Sequence, residues 1–493
     1  MALATWILIG LYMLVVLYFV VRGARRTRSI EDYAAGSVTF SPVAVGLSLA
    51  ASMTSAATFI INPGFAALYG LPAVLSFVVV LPAAALVSLY VFTKGFRSYG
   101  MSIRALTMAQ WIGTRYGSRG FALFFAFLSL LLLTFIVLIC TGITKVLATA
   151  LGAPEVYVLA GTIVFIFGYM MFGGANSMVY TNMAQALLMI VVAMILLGSG
   201  YDYFAEGIGG FLARLRAVDP QLVAATYLGS PLFRDFFEIV FCQAVIGVAI
   251  VCQPHIITKS LLLKNDRDVN RYLLTGIVVE VLFFAVVFAG LYARLTFPAL
   301  SSGDQPLAMD GIMPAYVVAR FPVYVGLIVV LGLISAGIST LEGLIQSIST
   351  SITSDILDPL LGRRLFAGDS GRKIQANRLV IALLAVLAFI FSYQQLIAPD
   401  LSVAIFAQNG VYAYFSAAFV PVLFGTFRRD TPLVVPVSGA LVALVVHFAV
   451  YYGRLTPYMA LPTRNPAIAS ALAIVAAVVV AAAVYLLRPR AVS

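Results

Sequence analysis

Six polar residues recur at intervals of four and three along an otherwise apolar stretch, residues 323–356. That spacing places side chains on one face of a helix, and hydroxyls, an amide and a carboxylate lack partners in hydrocarbon. One face of this helix must therefore line water or bind something. A second stretch, residues 43–68, repeats the arrangement and is predicted to break at Asn62-Pro63-Gly64, so the two polar faces predict a path through a membrane. The faces are Ser335, Ser339, Glu342, Gln346, Ser349 and Thr353 in the first stretch and Ser48, Ser52, Ser55, Thr58 and Asn62 in the second.

The composition is that of an integral membrane protein. Of 493 residues, 62% are hydrophobic and 10% are charged, whereas soluble domains carry about a quarter charged residues. Stretches of about 20 apolar residues predict an all-α fold with about 13 transmembrane helices, which places the termini on opposite sides. The predicted spans are residues 5–21, 43–68, 71–92, 121–151, 156–172, 179–200, 236–257, 273–297, 323–356, 379–393, 403–427, 433–452 and 466–487.

The positions of Lys and Arg predict the orientation. Most of the 30 basic residues fall in loops that lie inside if the N-terminus is outside, including residues 22–41, 94–119, 259–271 and 363–378. Basic residues favour the cytoplasmic side, so we expect N-out and C-in. The short loops suit a bacterial inner membrane. The net charge of +11 then reflects attraction to anionic lipid and not to nucleic acid. Residues 5–21 are expected to remain as a first helix, because their basic cluster follows them.

The sequence gives little support to catalytic or metal chemistry. Cys140, Cys242 and Cys252 lie inside predicted helices, without disulfide or metal-ligand spacing. The largest outer loops, residues 201–235 and 298–322, are too short for a soluble catalytic domain. We therefore expect a transport protein and not an enzyme.

Prolines interrupt two predicted spans that lie five spans apart. Besides Asn62-Pro63-Gly64, the seventh span contains Cys252-Gln253-Pro254-His255. Discontinuous helices at matching positions of two halves are typical of transporters with inverted repeats, and the alternative is a pair of ordinary proline kinks. We predict a 5+5 inverted-repeat core with one extra N-terminal and two extra C-terminal helices. The predicted units are residues 1–42 (first helix and inner loop), 43–200 (first repeat), 201–235 (outer loop), 236–427 (second repeat) and 428–493 (two C-terminal helices).

Several motifs occur in the order typical of one family. They are Ser29-Ile30-Glu31-Asp32-Tyr33 with Gly36, Ala50-Ala51-Ser52-Met53 leading to Pro63-Gly64, Trp111-Ile112 with Arg115-Tyr116-Gly117-Ser118, Gln253-Pro254-His255-Ile256, and Ile338-Ser339-Thr340-Leu341. On these residues the chain resembles the sodium/solute symporter family over roughly residues 22–427.

The resemblance implies the leucine-transporter-type fold and a sodium site. That site would use the backbone carbonyls of Ala50, Met53 and Ala336 and the side-chain oxygens of Ser339 and Thr340. Neutral oxygen ligands suit a hard monovalent cation. The alternative for Ser339 and Thr340 is hydrogen bonding between helices, which small polar residues also serve.

The chain departs from the family at one informative position. Family members with a second sodium site carry Asp in a Thr-Asp-x-x-Gln pattern, whereas this chain has Thr181-Asn182-Met183-Ala184-Gln185. An amide lacks the charge with which a second cation would pair. The resemblance and this change together predict one sodium ion per transport cycle.

The substrate is expected beside the sodium ion, against the broken helices. The wall formed by residues 245–251 has almost no polar side chains, so a sugar fits poorly, and Ile246 and Ile250 stand where the proline-transporting branch has Trp and Tyr. A small solute with one polar end and an apolar body, a carboxylate or amino acid, fits better. Gln408 lies where sugar-carrying relatives place a substrate-contacting Gln, although it could instead bond a neighbouring helix. The candidate contacts are Ser52, Ser55, Thr58, Cys140, Thr141, Gln243, Gln253 and Gln408.

Three charged residues within the predicted spans have open roles. Lys145 either attracts a carboxylate on its way in or extends its ammonium to the interface. Glu280 is expected to bond a neighbouring helix. Glu342 either gates the inner side or pairs with an inner-loop base, and the alternative is a position in a solvated vestibule. Together the residues predict a sodium-coupled symporter that works by alternating access. The alternatives are a proton-coupled carrier, in which Glu280 or Glu342 titrates, and a membrane-embedded nutrient sensor with the same fold.

Overall fold

The computed structural model describes residues 2–302, 305–366, 369–397, 403–428 and 430–487. These residues are mostly helical, with one minimal strand pair between Ser301–Ser302 and Gln305–Pro306. The predicted all-α class is confirmed. Residues 429 and 488–493, part of the predicted C-terminal unit, lie outside the described residues.

Eleven described helices are long and apolar enough to cross a membrane, and thirteen spans result when each of two bent helix pairs counts as one. This number agrees with the prediction from the sequence, and we number the spans 1 to 13 in chain order. In that order they are Trp6–Ala24, Pro42–Met53 with Ala57–Tyr69, Leu71–Ser102, Arg119–Leu151, Glu155–Gly173, Ala175–Gly198, Phe237–Ile250 with Pro254–Leu262, Asp266–Thr296, Val323–Gly362, Ser370–Ile397, Ala407–Phe427, Val434–Gly453 and Pro466–Leu487.

Spans 2 and 7 are each broken in the middle. The two halves of span 2 are bent by 58° and those of span 7 by 56°. The break in span 7 lies at Gln253-Pro254, as the sequence predicts. The break expected in span 2 at Asn62-Pro63-Gly64 is wrong, because the chain leaves the helix earlier, at Thr54 and Ser55.

Local hydrogen bonding explains the position of the break in span 2. Thr54 has an extended backbone directly after the last helical residue, and the Ser55 hydroxyl accepts the amide N–H of Ala57 at 3.1 Å, which caps the second half. Pro63 follows a wider π-helical turn, Ala57–Ile61, and occupies the first turn of the next helical segment, where a missing N–H is tolerated. Proline is therefore accommodated without unwinding the span.

Asn62-Pro63-Gly64 is instead a point of close packing. A Cβ atom on Gly64 would lie 2.4 Å from the carbonyl oxygen of Met309, and a Cβ atom on Gly290 would lie 1.9 Å from that of Pro63. Both glycines therefore allow backbone to approach backbone. The outer loop before span 9 and the end of span 8 are thereby held against the second half of span 2.

Within the described loops there are four shorter α-helices, namely Ile30–Ala35, Met108–Arg115, Gly207–Val218 and Ile312–Arg320. The side chains of Ser29 and Thr107 cap the first two of them by accepting backbone amides. Gln346 of span 9 donates to the carbonyls of Tyr33 at 2.8 Å and Ala34 at 3.0 Å. The helix after span 1 is thereby tied to the core.

Span 9 lies at the centre of the bundle and brings the two polar faces together. The first half of span 2 packs against spans 6, 8 and 9, while spans 12 and 13 pack against each other and against span 11. Ser48, Ser52, Ser339 and Glu342 are fully buried, so both polar faces point inward. The repeat boundaries, residues 43–200 and 236–427, stay a prediction, which the matching breaks five spans apart support.

Candidate functional site

The break in span 2 faces two hydroxyls of span 9. Ser339 Oγ donates to the carbonyl of Ala51 at 2.7 Å and to that of Ala336 at 3.1 Å. Thr340 Oγ1 donates to the carbonyl of Thr54 at 3.1 Å and to that of Ala336 at 3.3 Å. The carbonyls of span 2 are available because the last carbonyls of a helix have no amide partner within it. We call this group of oxygens the joint cluster.

Ser52 completes the joint cluster from both its side chain and its backbone. Its Oγ lies 3.4 Å from the carbonyl oxygen of Ser339, and its own carbonyl oxygen lies 3.3 Å from Thr340 Oγ1. The cluster lies at the C-terminal end of Pro42–Met53, the negative end of the helix dipole. Neutral oxygens at the negative end of a half-helix fit a monovalent cation such as sodium.

The predicted sodium ligands are only partly brought together. Ala336, Ser339 and Thr340 lie in the joint cluster, as described above. The Ala50 carbonyl instead accepts the backbone amide of Thr54 at 3.1 Å, and Met53 lines a cavity. The hydroxyls of span 9 thus contact carbonyls adjacent in sequence to the two predicted ones. The ligand set therefore stays a prediction.

A cavity of about 110 Å³ lies between the two broken spans. Four of the predicted substrate contacts line it: Ser55 and Thr58 from span 2, Gln253 from the break in span 7, and Gln408 from the start of span 11. The remaining wall is largely apolar and aromatic. It includes Phe77, Leu81, Phe135, Leu138, Ile250, Phe284 and Tyr412.

Gln253 presents an unpaired polar atom at the second break. Its Nε2 donates to the carbonyl of Ile250 at 3.2 Å, whereas its Oε1 is buried without a hydrogen-bond partner among the described residues. Buried polar atoms are normally hydrogen-bonded, so such an atom in a cavity wall is available to a ligand.

The other predicted contacts lie elsewhere. Ser52 belongs to the joint cluster. Thr141 Oγ1 donates to carbonyls of its own helix at 3.0 and 2.9 Å, and Gln243 and Cys140 are buried within spans 7 and 4. Because these side chains lie away from the cavity wall, a role in substrate contact would need a different conformation.

Lys145 forms an ion pair with Asp310 of the outer loop before span 9. Their side chains are 32% and 25% exposed, and both residues line a small cavity next to Thr141. Neither of the two roles predicted for Lys145 from the sequence includes a pair with this carboxylate. The sequence does not indicate Asp310 as the partner, because Asp310 lies in a loop far along the chain.

Glu342 is buried in a network and does not face a solvated vestibule. Its Oε1 accepts from Tyr169 Oη at 2.5 Å and its Oε2 from Thr181 Oγ1 at 2.6 Å. Lys259, assigned from the sequence to an inner loop, is 3% exposed and donates to Ser48 Oγ at 2.7 Å. The helical register that continues beyond Pro254 was the missed signal, since it carries Lys259 back into the bundle.

Glu280 bonds a neighbouring helix, as the sequence predicts. Thr54 Oγ1 donates to its two carboxyl oxygens at 3.2 and 3.1 Å, and Glu280 is fully buried. The Glu280 carboxyl group of span 8 is thereby hydrogen-bonded to Thr54, the residue at which span 2 unwinds. Thr54 consequently joins span 8 to the joint cluster through its side chain and its carbonyl.

The chain belongs to the sodium:solute symporter family, whose pattern matches residues 33–460. It is 32% identical over 307 residues to the sodium/pantothenate symporter of Escherichia coli, which covers 58% of this chain and 60% of that protein. It is 27% identical over 408 residues to the sodium/pantothenate symporter of Haemophilus influenzae, with 79% of each chain covered. A sodium/proline symporter of Staphylococcus aureus is 23% identical over 452 residues, or 90% of this chain and 85% of that one.

Solved structures support the fold assignment. A Na+-coupled sialic acid symporter in a substrate-bound outward-open state covers 98% of both chains with a TM-score of 0.78 at 16% identity. A manganese transporter of Eremococcus coleocola gives a TM-score of 0.50 at 14% identity, over 92% of this chain and 94% of that one. The family and its relatives are secondary transporters and not enzymes, and the leucine-transporter-type fold expected from the sequence is confirmed.

Proposed function

We propose that this protein is a sodium-coupled symporter that imports a small organic carboxylate with one sodium ion per cycle. The N-terminus is outside and the C-terminus is cytoplasmic. The observation that carries the proposal is the contact of Ser339 and Thr340 with the broken middle of span 2. When sodium binds, the two hydroxyl oxygens would coordinate the ion, and these hydrogen bonds to the carbonyls of span 2 would break.

The joint cluster is the proposed sodium site. Three of the predicted ligands, the carbonyl of Ala336 and the hydroxyls of Ser339 and Thr340, already belong to this cluster. The other two, the carbonyls of Ala50 and Met53, lie next to it in sequence, and that of Ala50 would have to exchange its bond to the Thr54 amide for the ion. Unwound backbone and Ser or Thr hydroxyls can supply such oxygens at mid-membrane without a charged side chain.

The substrate would occupy the cavity between the breaks. The second half of span 2 begins beside Ser55, so the positive end of its dipole can attract a carboxylate, and Ser55, Thr58, Gln253 and Gln408 can accept or donate hydrogen bonds. Aromatic and aliphatic walls suit an apolar body. Since two relatives are sodium/pantothenate symporters, pantothenate is the first solute to test.

Coupling follows from one short segment that serves both sites. Met53 and Ser55 line the cavity, whereas the carbonyl of Thr54 between them accepts from Thr340. Sodium from outside would set the pitch of this segment and complete the substrate cavity. Each ligand then binds better when the other is present, which is the thermodynamic requirement for symport. Joint occupancy would favour the inward-facing state, from which both leave.

One sodium per cycle limits the driving force. A single charge gains about 2.3 kcal/mol per 100 mV, and a tenfold sodium gradient adds about 1.4 kcal/mol. Together they support roughly 500-fold accumulation of a zwitterionic solute. For a monoanion the potential contributes nothing, and only about tenfold accumulation remains.

Uptake into proteoliposomes tests the proposal and separates it from its alternatives. Radiolabelled pantothenate, amino acids and small acids are offered with an inward sodium gradient, a proton gradient, or equal choline on both sides. We expect uptake of one carboxylate only with sodium. A proton-coupled carrier would work in choline with a proton gradient, and a sensor would bind solute without any flux.

A further inference from the structure

We propose that the ammonium of Lys259 permanently takes the place of a second cation, balancing Glu342 through Asn182 and thereby limiting transport to one sodium ion. The inference rests on the proposed function, because it concerns how many ions the symporter carries. It assigns a role to three buried residues that neither the joint cluster nor the substrate cavity uses.

Lys259 reaches the bundle interior from the second half of span 7. It is 3% exposed, and its Nζ donates to Ser48 Oγ at 2.7 Å on the polar face of span 2. A buried ammonium is stable only with hydrogen-bond acceptors and a compensating charge. The carboxylate of Glu342 supplies that charge.

Asn182 links the ammonium to the carboxylate. Its neighbours fix the amide orientation, because one side faces only acceptors and the other only donors. In the matching orientation the Asn182 oxygen accepts from Lys259 Nζ at 3.1 Å and from Ser52 Oγ at 3.1 Å. The Asn182 nitrogen then donates to Glu342 Oε2 at 2.8 Å and to Gln185 Oε1 at 3.0 Å.

The surroundings of the ammonium would suit a cation from solution. Hydroxyls of Ser48 and Ser52 and the Asn182 oxygen provide neutral oxygen atoms, and the Glu342 carboxylate provides one negative charge. The same carboxylate is oriented by Tyr169 at 2.5 Å and is fully buried. Without the ammonium, this would be an oxygen-lined site of net negative charge inside a membrane protein.

Lys259 also borders a small cavity on the predicted inner side. It lines this cavity together with Ala34, Ala105, Leu106 and Gln346. Ser52 also belongs to the joint cluster, so the two places share one residue. Binding of a second sodium ion here would therefore depend on the same movement of span 2 as binding of the first ion.

The test compares three variants of the full-length protein with the wild type. Lys259→Met removes the ammonium and leaves the carboxylate, Lys259→Met with Glu342→Gln removes both charges, and Lys264→Met removes an exposed lysine five residues later as a matched control. Thermal stabilisation of the purified proteins is titrated with sodium chloride against choline chloride at constant ionic strength.

At saturating sodium, each bound ion adds about one RT of stabilisation free energy per unit of ln[Na+]. We expect a slope of about one RT for the wild type and Lys264→Met, about two RT for Lys259→Met, and about one RT for the double variant. If Lys259→Met is too unstable to purify in choline, sodium should rescue it and choline should not. A slope that stays at about one RT in a folded Lys259→Met protein, or instability that sodium does not relieve, overturns the proposal.

The two proposals can fail separately. A wild type that sodium does not stabilise contradicts the proposed function. A new sodium response that appears in Lys259→Met and disappears in the double variant still supports the role of Lys259. The converse result is that sodium stabilises the wild type and Lys259→Met to the same extent. That result agrees with the proposed symport function and contradicts the role of Lys259.

Discussion

Replacing Thr340 by Ala should raise the sodium concentration that transport requires. The Thr340 hydroxyl lies 3.1 Å from the carbonyl of Thr54 and 3.3 Å from that of Ser52, so it faces the unwound backbone on both sides of the predicted ligand Met53. Hydrogen bonds and ligand contacts to charged groups contribute about 1.5–3 kcal/mol. Losing one such contact corresponds to an increase of about 10- to 150-fold in half-saturating sodium.

The assay is the initial rate of solute uptake into proteoliposomes as external sodium replaces choline. Ser349→Ala is the matched control, because Ser349 is also buried on span 9 but donates to the Gln346 carbonyl of its own helix at 3.3 Å. Thr340→Ser keeps the hydroxyl and should stay close to the wild type. Equal sodium requirements for Thr340→Ala and Ser349→Ala would refute the assignment of Thr340 to the sodium site.

Three further predictions concern the substrate, the scaffold and the charge carried. Gln408→Leu should raise the KM for the solute about tenfold or more in uptake assays while sodium-dependent stabilisation stays unchanged. Arg234→Met should lower the free energy of unfolding by about 3–5 kcal/mol, because it leaves the fully buried carboxylate of Glu238 without its ion-pair partner. The control Arg214→Met breaks an exposed ion pair with Glu206 and should change the free energy of unfolding by less than about 1 kcal/mol. Both values are measured by denaturant titration. Uptake of a monoanionic solute should not respond to an imposed potassium-diffusion potential, because one sodium ion cancels its charge; a clear voltage response would contradict the one-sodium stoichiometry.

The spans and the second break could be predicted from the sequence because their causes are local. Long apolar runs have few alternatives to a membrane helix. Pro254 removes an amide at a place where the π-helical turn of span 7, Phe237–Cys242, is too far along the chain to absorb the interruption. The two polar faces could also be predicted from the sequence, because residues such as Ser339 and Glu342 recur at helical spacing. These features need no knowledge of the partner helix.

The break in span 2 could not be located in this way. Proline marks a possible interruption, but the π-helical turn Ala57–Ile61 accommodates Pro63, and the unwinding occurs where Ser55 caps the next half and span 9 offers hydroxyls to free carbonyls. That choice depends on contacts between residues almost 300 positions apart. A local pattern contains no information about them.

Charged residues near span ends were the second source of error. Lys259 reads as a loop residue when basic residues are assigned to the inner side, yet the half-helix after Pro254 carries it inward to Ser48. The sequence shows no acidic partner near Lys145, yet Asp310 from a distant loop forms an ion pair with it. In both cases the partner is fixed by tertiary packing. The candidate site was therefore predictable in its helices and residue types, but not in its charge pairing.

The number of sodium ions bound per protein molecule tests the central claim most directly. Equilibrium binding of radioactive sodium to the purified wild type, in the presence of saturating solute, should give one ion per protein. The variant Ser339→Ala with Thr340→Ala should bind no sodium at the concentrations that saturate the wild type, whereas Ser349→Ala should bind as the wild type does. Sodium binding that survives the loss of both hydroxyls, or a wild type that binds no sodium while transporting solute, would contradict the account.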